Sequence, residues 1–451
     1  MKSLERIAVR YACSLALVGA CGGSDIQGVQ DAAVVRYDVG QVDAPVDSGV
    51  PMSISVTLKN QPTTPATFGF AVAYQDGAGA WQVPSPADTN DTFTFTVTSP
   101  TWAFAWMCAT PTAGKLTPQV NIFGAAVAER TSYTQTIPAA CTDRVVSPVT
   151  LTVDVTNLPA TTTGTYYATF AGVTAAMTAG ATGTGSFTIA VAPGTHDLVV
   201  GHNANTVTTG AGSADVLTDL TVVQRALDLT ANQTVTVDFS QAIAPQSVVD
   251  TASVKITSTT TLVTANGTAV KLGSVSTSPY SSDELATSQG LASDVYVQQL
   301  STAAAGAAAF VQAWAASPVA MTFTAPAALG TVTSSELSMT PYPIVQTSWP
   351  VYTDAIGYRW QATQPATGTA TVAWTTQLTP GYVGGAPSYS MPDLSAIAGW
   401  SSSLGLVVGT PVSIRAIAMT SSLGAADFPF VAKPAVGTQR TQLTGIVTLT
   451  P

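Results

Sequence analysis

Apolar and polar residues alternate along most of the chain, and this period of two predicts β-strands with one buried face. In Phe93–Val97 an apolar residue stands at every second position with threonine between, and Phe187–Val191 repeats the pattern. Runs of this kind are short and are separated by glycine, proline and serine. The pattern therefore predicts an all-β chain built from sandwich-type modules, Ig-like or transthyretin-like.

Further strands are predicted after about residue 250 from the same alternation. They are Ser253–Ile256, Thr261–Thr264, Val319–Thr324, Tyr358–Ala362, Thr369–Thr375, Val412–Met419 and Leu443–Leu449. Ser293–Trp314 contains helix-favouring alanines, but its flanks alternate like paired strands, so we expect a hairpin there. Ser282–Leu285 begins with residues that cap helices and is compatible with a short helix.

An internal repeat organises the first half of the chain. Val56–Pro62 is similar to Val153–Pro159, and Phe93–Phe104 is similar to Phe187–Leu198, each about 95 residues further along. Two matches at nearly one offset predict a duplicated module, whereas the rest of the chain contains no clear third copy. The predicted modules are residues 51–147, residues 148–246 and a C-terminal sandwich domain of residues 247–451.

The second copy contains a hairpin with a known resemblance. From Gly185 to Val200 it reads Gly-Ser-Phe-Thr-Ile-Ala-Val-Ala-Pro-Gly-Thr-His-Asp-Leu-Val-Val, with Pro193 and Gly194 in the turn. This is similar to the hairpin of carboxypeptidase-regulatory or transthyretin-like β-sandwich modules, in which a tyrosine often stands at the position of His196. The resemblance implies a structural or adhesive module without catalysis.

Composition narrows the classes of partner. The 451 residues include 15 Lys+Arg and 25 Asp+Glu, a net charge of -10, and the pI is near 4.5. Such a chain lacks the basic field that attracts nucleic acid or an anionic bilayer surface, so nucleic acid is not an expected partner. A hydrophobic fraction of 46% is ample for sizeable cores.

The amino terminus has the order of a secretory signal. Lys2 and Arg10 precede a short apolar stretch, which ends in Leu-Val-Gly-Ala-Cys from Leu17 to Cys21. These five residues resemble the bacterial lipobox. The resemblance implies that residues 1–20 are a signal peptide, that cleavage occurs before Cys21, and that acyl chains such as palmitate on Cys21 form a membrane anchor.

Residues 21–50 predict a disordered acidic tether, because five aspartates and a single arginine leave too little apolar surface to fold. The start Cys-Gly-Gly-Ser-Asp, followed by a spacer of aspartate, alanine and proline, resembles many myxobacterial lipoproteins. That resemblance implies a place in the cell envelope and no activity. We therefore expect an exported protein that is lipid-anchored to the outer membrane.

The remaining cysteines predict one disulfide. Removal of Cys13 with the leader and lipidation of Cys21 leave Cys108 and Cys141, an even pair in an oxidising compartment. Closing this loop stabilises the fold by roughly 3 to 4 kcal/mol in the loop-entropy treatment. Two cysteines without clustered histidines are a poor zinc site, and no metal or cofactor is expected.

Residues suited to catalysis are scarce. His196 and His202 are the only histidines, and a zinc pair or a dyad with Asp197 is the catalytic alternative. His196 aligns with Trp102 in the repeat, and tryptophan neither ligates metal nor abstracts a proton, which favours a structural role. Nucleophile, zinc and nucleotide-binding motifs are absent from the sequence. The remaining acids include Asp215, Asp219, Asp228, Asp238, Asp283 and Glu284. We interpret them as solvated loop carboxylates rather than as a glycosidase pair.

Aromatic residues concentrate in the last third of the chain. Core packing is the favoured interpretation, because β-sandwiches bury tryptophan. The alternative is an exposed platform for sugars or a partner, and Trp349 and Trp400, which stand in loop-like sequence, are its candidates.

These observations predict a non-enzymatic, lipid-anchored envelope protein with a structural, adhesive or binding role. The alternative is an accessory lipoprotein that binds or processes carbohydrate, and a third hypothesis is a hydrolase with an unrecognised acid pair. The expected partners are the membrane, through the lipid, and a cell-surface polysaccharide or another envelope protein.

Overall fold

The structure is a computed structural model. It describes residues 49–109, 118–144, 146–160, 164–178, 183–206, 215–304, 307–365, 371–385, 387–430 and 434–451. These residues form an all-β fold, which confirms the predicted class. The predicted signal peptide, Cys21 and the predicted tether up to residue 48 lie outside the described residues. Short 3-10 helices occur at Pro65–Phe68, Ala139–Cys141, Phe239–Gln241, Ser402–Leu404 and Gly424–Asp427.

The first group of strands forms two facing sheets. Its strands are β1 (Met52–Lys59), β2 (Phe70–Asp76), β3 (Thr92–Val97), β4 (Thr101–Cys108), β5 (Gln119–Ala126) and β6 (Ser132–Thr136). Strand β1 pairs antiparallel with β3 and parallel with β6, while β4 lies between β2 and β5. The apolar positions of the alternation meet between the sheets, where Ile54 and Val56 share a core with Trp102, Phe104 and Trp106.

The second group has the same connections. Its strands are β7 (Val149–Leu158), β8 (Thr165–Phe170), β9 (Val173–Thr178), β10 (Gly183–Val191), β11 (Gly194–Thr206), β12 (Asp215–Leu229) and β13 (Gln233–Asp238). Strand β7 pairs antiparallel with β10 and parallel with β13, as β1 does with β3 and β6. The opposing sheet has the order β9-β8-β11-β12, and the core between the two sheets is apolar.

The third group repeats these connections where the sequence shows no clear copy. Its strands are β14 (Gln246–Ala252), β15 (Thr257–Val263), β16 (Ala269–Val275), β17 (Tyr280–Glu284), β18 (Val295–Ala304), β19 (Ala307–Ala315) and β20 (Thr322–Phe323). Strand β14 pairs antiparallel with β17 and parallel with β20, and the opposing order is β16-β15-β18-β19. The alternation of apolar and polar residues and the positions of the turns specify this pairing, although the residues differ from those of the first two groups.

The last group contains β21 (Thr333–Ser338), β22 (Ile344–Ser348), β23 (Gly357–Pro365), β24 (Thr371–Leu378), helix α1 (Pro380–Val383), β25 (Ser388–Ser390), β26 (Val412–Ser421) and β27 (Gln439–Leu449). Strand β22 lies between β21 and β25, and the opposing order is β24-β23-β26-β27. The core between them includes Trp360, Trp374 and Leu404.

One sheet of 15 strands joins all four groups. Its order is β2-β4-β5-β24-β23-β26-β27-β19-β18-β15-β16-β12-β11-β8-β9. The groups meet where β5 pairs parallel with β24, where β27 pairs antiparallel with β19, and where β16 pairs antiparallel with β12. Backbone hydrogen bonding therefore runs across the predicted module boundaries, and the division into independent modules stays a prediction.

Strand β4 is buried on both faces of this sheet. Trp102, Phe104 and Trp106 point into the first group, whereas the alternate residues Ala105 and Met107 belong to the core of the last group. Small side chains on the second face let the last group approach closely. The first and last groups therefore pack together through both strand pairing and apolar contact.

The strand predictions are confirmed in part. Tyr358–Ala362, Val412–Met419 and Leu443–Leu449 lie within β23, β26 and β27, and β18 and β19 form the predicted hairpin. Ser253–Ile256 is wrong, because the chain turns there between β14 and β15. The helix over Ser282–Leu285 is also wrong, because its first residues pair with β14 as part of β17. The helix-capping preference of serine and aspartate contributes less free energy than the backbone hydrogen bonds of a paired strand.

Candidate functional site

The two predicted disulfide cysteines are bonded to each other. Cys108 is the last residue of β4 and Cys141 ends a 3-10 helix, with 5.8 Å between their Cα atoms. Both side chains are fully buried, and the pairing prediction is confirmed. The bond fastens the segment after β6 to the first group.

Both histidines lie on β11 and have partners. Nδ1 of His202 is 2.6 Å from Oδ1 of Asp219, and the buried imidazole packs against Tyr166 with ring centroids 4.6 Å apart. Nδ1 of His196 is 3.0 Å from the carbonyl oxygen of Asn266. These contacts place the two imidazoles in packing and hydrogen bonding between strands.

Asp197, the residue considered for a dyad with His196, is bound elsewhere. It is fully buried and accepts hydrogen bonds from Arg225, from Asn266 and from the backbone N–H of Ala226. Burial alone raises the pKa of Asp197, but these donors outweigh it and hold the pKa at about 2. The carboxylate is ionised and fully engaged in joining β11 to β12.

Two buried carboxylates, Asp250 and Asp283, have pKa values that burial raises, the direction expected of a general acid. Asp283 is 2% exposed, and its Oδ1 accepts a hydrogen bond from Ser247 at 2.6 Å. Burial, with a smaller contribution from the charge of Asp250, raises the pKa of Asp283 to about 6. The interpretation of Asp283 as a solvated loop residue is wrong, because β17 carries it into the core. Its Oδ2 is also buried, which keeps substrate away.

The late tryptophans belong to the core. Trp349 is 5% exposed, which agrees with the favoured interpretation of core packing and contradicts the alternative of an exposed platform at this residue. Trp400 is half-buried, and Tyr342 stacks on its ring at 5.0 Å with an interplanar angle of 18°. Loop-like sequence placed these residues at the surface, but the loops fold back over the last group and bring their rings onto its core.

A polar surface covers the middle of the long sheet. Alternate residues of β24, β23, β26, β27, β19 and β18 point away from the β21-β22-β25 and β17-β14-β20 sheets, because their neighbours in sequence fill the apolar cores on the other side. We call this surface the central face. Its residues are Gln299, Ser301, Phe310, Gln312, Arg359, Gln361, Thr375, Gln377, Arg415, Gln442, Thr444 and Ile446.

The strand register sets these side chains in rows. Thr375, Gln361, Arg415 and Ile446 are successive cross-strand partners on β24, β23, β26 and β27. A second row runs through Gln442, Phe310 and Ser301 on β27, β19 and β18. With strands about 4.8 Å apart, six strands span roughly 24 Å, and amides and hydroxyls line most of that width.

The charge on the central face is positive. Its partly exposed charged residues are Arg359 and Arg415, whereas Arg440 on the same side of β27 is fully buried and pairs with Asp427. Within the described residues, none of the ion pairs includes Arg415. Tyr133 lies beside this face. Burial raises the pKa of Tyr133, and the positive charge of Arg359 lowers that pKa by a smaller amount. A chain of net charge -10 therefore carries a cationic patch here.

Two clefts of the described chain have volumes below those of typical small-molecule pockets. A cleft of about 190 Å³ is lined in part by Glu284 and Tyr296, and another of about 290 Å³ by Thr150 and Asn232. Typical small-molecule pockets hold roughly 300 to 1,000 Å³. In the described parts of the chain, no three histidine, cysteine or acidic residues lie close enough to hold a metal ion.

Comparison of the sequence with protein families and with curated proteins gives no functional assignment. No protein-family model and no curated protein matches the chain. Among the described residues, none of the helices has the length and apolar character needed to cross a membrane.

Sequence reasoning missed the residues of the central face. Their signal is present in the alternation, because Arg359, Gln361 and Thr375 occupy the polar positions of strands predicted from their apolar ones. What the pattern omits is which strands are neighbours. The rows exist only because β24, β23, β26, β27, β19 and β18 lie side by side.

Proposed function

We propose that the protein is a lipid-anchored component of the cell envelope that binds an envelope polymer without catalysis. The observation that carries the proposal is the central face, a broad surface of amides, hydroxyls and arginines on a rigid sheet. Such a surface suits recognition of a hydrogen-bonding partner. The resemblance of residues 17–21 to the lipobox supports the anchor.

The absence of catalysis in the proposal rests on how the titratable groups are used. His202 is engaged with Asp219, and Asp197 is engaged with Arg225. Asp283, whose raised pKa suits proton transfer, is shielded from solvent. These arrangements leave His202, Asp197 and Asp283 unavailable to a hydrolase and support binding as the function.

Two measurements on the full-length protein test the proposal. Membrane fractionation with palmitate labelling should show the wild type in the membrane fraction and a Cys21→Ala variant, without label, in the soluble fraction. The lipid-free Cys21→Ala protein should be retained on purified cell-wall polysaccharide or on peptidoglycan. Loss of label without change in location contradicts the anchor, and passage through both matrices contradicts polymer binding.

A further inference from the structure

We propose that the central face binds an acidic polysaccharide and that Arg415 contacts its carboxylates. This inference rests on the proposed function and adds to it the ligand class and the residues that select it. Arg415 lies in the middle of the face, flanked on neighbouring strands by Gln361 and Ile446.

Charge decides the sign of the ligand. The chain has a net charge of -10, yet the partly exposed charged side chains of the central face are two arginines, because Arg440 and Asp427 on this side of the sheet are buried and paired with each other. Other arginines of the structure have carboxylate partners, such as Arg144 with Asp91 and Arg225 with Asp294. Arg415 has no such partner among the described residues, and a guanidinium matches a carboxylate with two parallel hydrogen bonds.

Hydrogen-bonding groups decide the ligand's chemistry. An amide side chain offers two donors and an acceptor, the combination that hydroxyl groups of a sugar require. Gln361 and Gln377 present such groups on the neighbouring strands β23 and β24, Gln442 presents one on β27, and Thr375 and Thr444 add hydroxyls to the same face. Phe310 is half-buried on the same face and adds one ring that can lie against the apolar side of a sugar.

The shape of the face favours a polymer over a small molecule or a protein. It is a sheet surface rather than a concave pocket, and its rows extend over several strands, so one short ligand would leave most donors unused. A protein interface of this size has a desolvated core rich in aromatic and aliphatic residues. Here Phe310 and Ile446 are the partly exposed large apolar side chains, whereas Ile417 and Met419 on the same side of β26 are buried with Phe428.

The test compares two polymers with one backbone. The full-length Cys21→Ala protein is passed over immobilised polygalacturonate and over its fully methyl-esterified form, which lacks the carboxylate charge. We expect retention on the charged polymer alone, and a dissociation constant that rises about tenfold between roughly 50 and 500 mM NaCl because salt screens the arginines. Equal retention on both polymers overturns the carboxylate contact.

Variants locate the site. Arg415→Gln should weaken binding to polygalacturonate about fivefold and Gln361→Ala about twofold, with Arg415→Lys between wild type and Arg415→Gln. Lys59→Gln, at an exposed position on β1, removes the same charge elsewhere and should change nothing. Circular dichroism and melting temperature establish that each variant is folded, and an Arg415→Gln protein that fails to fold leaves Gln361→Ala and Arg415→Lys to decide.

The outcomes separate this inference from the proposed function. Undiminished binding by the folded variants overturns the site, and if they are retained on envelope polymers the proposed function stands. Binding of polyglutamate but not of polygalacturonate overturns the polysaccharide and indicates an acidic polypeptide. Passage of the wild type through every matrix overturns both.

Discussion

The guanidinium of Arg225 on β12 makes a two-point ion pair with the carboxylate of Asp294, which precedes β18, with N–O distances of 2.9 and 2.7 Å. The same guanidinium donates to Asp197 on β11 at 3.0 Å. Both carboxylates are buried, and Arg225 is one-fifth exposed. A single cation thus connects the second and third groups of strands, beside the short pairing of β12 with β16.

Replacing this cation should destabilise the junction strongly. Arg225→Met leaves two buried carboxylates without compensation, and we expect a loss of about 3 kcal/mol in the free energy of unfolding. Urea denaturation followed by circular dichroism measures it. The matched control is Arg144→Met, which breaks a more exposed pair with Asp91 and should cost at most about 1 kcal/mol. Equal losses in the two variants would contradict the role of the junction.

Asp283 should make the fold less stable at neutral pH than in mild acid. Its folded-state pKa of about 6 lies above the ordinary value of 3.8, so the folded chain holds the proton more tightly. Its contribution to stability is therefore complete below about pH 4 and is lost as the pH rises through about 6. Asp283→Asn stays neutral and should be more stable than wild type at pH 7.5 by about 2 to 3 kcal/mol.

Denaturant midpoints of wild type and Asp283→Asn at pH 4 and pH 7.5 test this prediction. The difference should vanish at the lower pH. Asp238→Asn is a control of opposite sign, because hydrogen bonds from Asn157 and Ser240 lower the pKa of the exposed Asp238. A variant Asp283→Asn that is less stable than wild type at pH 7.5 would show that the carboxylate is stabilised where it lies.

The disulfide should contribute measurably to the first group. Its ends are 33 residues apart, and closing such a loop stabilises the folded state by about 3 to 4 kcal/mol. A protein with Cys108→Ser and Cys141→Ser should unfold at lower urea than the oxidised wild type and match the reduced wild type. Thiol titration of the denatured, unreduced protein should find neither cysteine reactive.

The two tryptophans of the last group should respond differently to truncation. Trp374 is fully buried and its Nε1 donates to the carbonyl oxygen of Leu404 at 2.8 Å, so Trp374→Ala should cost about 3 to 5 kcal/mol. Trp400 is half-buried and lies off the central face, and Trp400→Ala should cost about 1 kcal/mol. Polysaccharide retention by folded Trp400→Ala should equal that of wild type. Loss of retention would restore the aromatic platform.

Alternation predicts those strands here that have one face in a core and the other face outside it. Tyr358–Ala362 and Val412–Met419 are visible in the sequence for that reason, and so is the β18-β19 hairpin. Alternation predicts too long a strand at Val319–Thr324, where β20 covers Thr322–Phe323, and it fails at Asp283, whose polar side chain is buried. The alternation of apolar and polar residues does not indicate that a carboxylate is buried.

The central face lay beyond prediction for a different reason. Its polar positions are readable, but Arg415 joins a row with Thr375 only through the ladders on either side of β23. Pairings between distant strands follow from which edges remain free after the local hairpins form. A single sequence predicts the hairpins from their short turns but does not predict which distant strands pair.

The parallel ladder of β5 with β24 has a consequence for biogenesis. Gln119 of β5 pairs with Ala373 of β24, so about 250 residues are synthesised after β5 before its partner strand is made. At ordinary ribosome speeds this takes roughly 10 to 50 s. During that time β5 offers an unpaired edge to any other chain. Until the last third of the chain has emerged, this open edge therefore exposes the nascent protein to pairing with other chains.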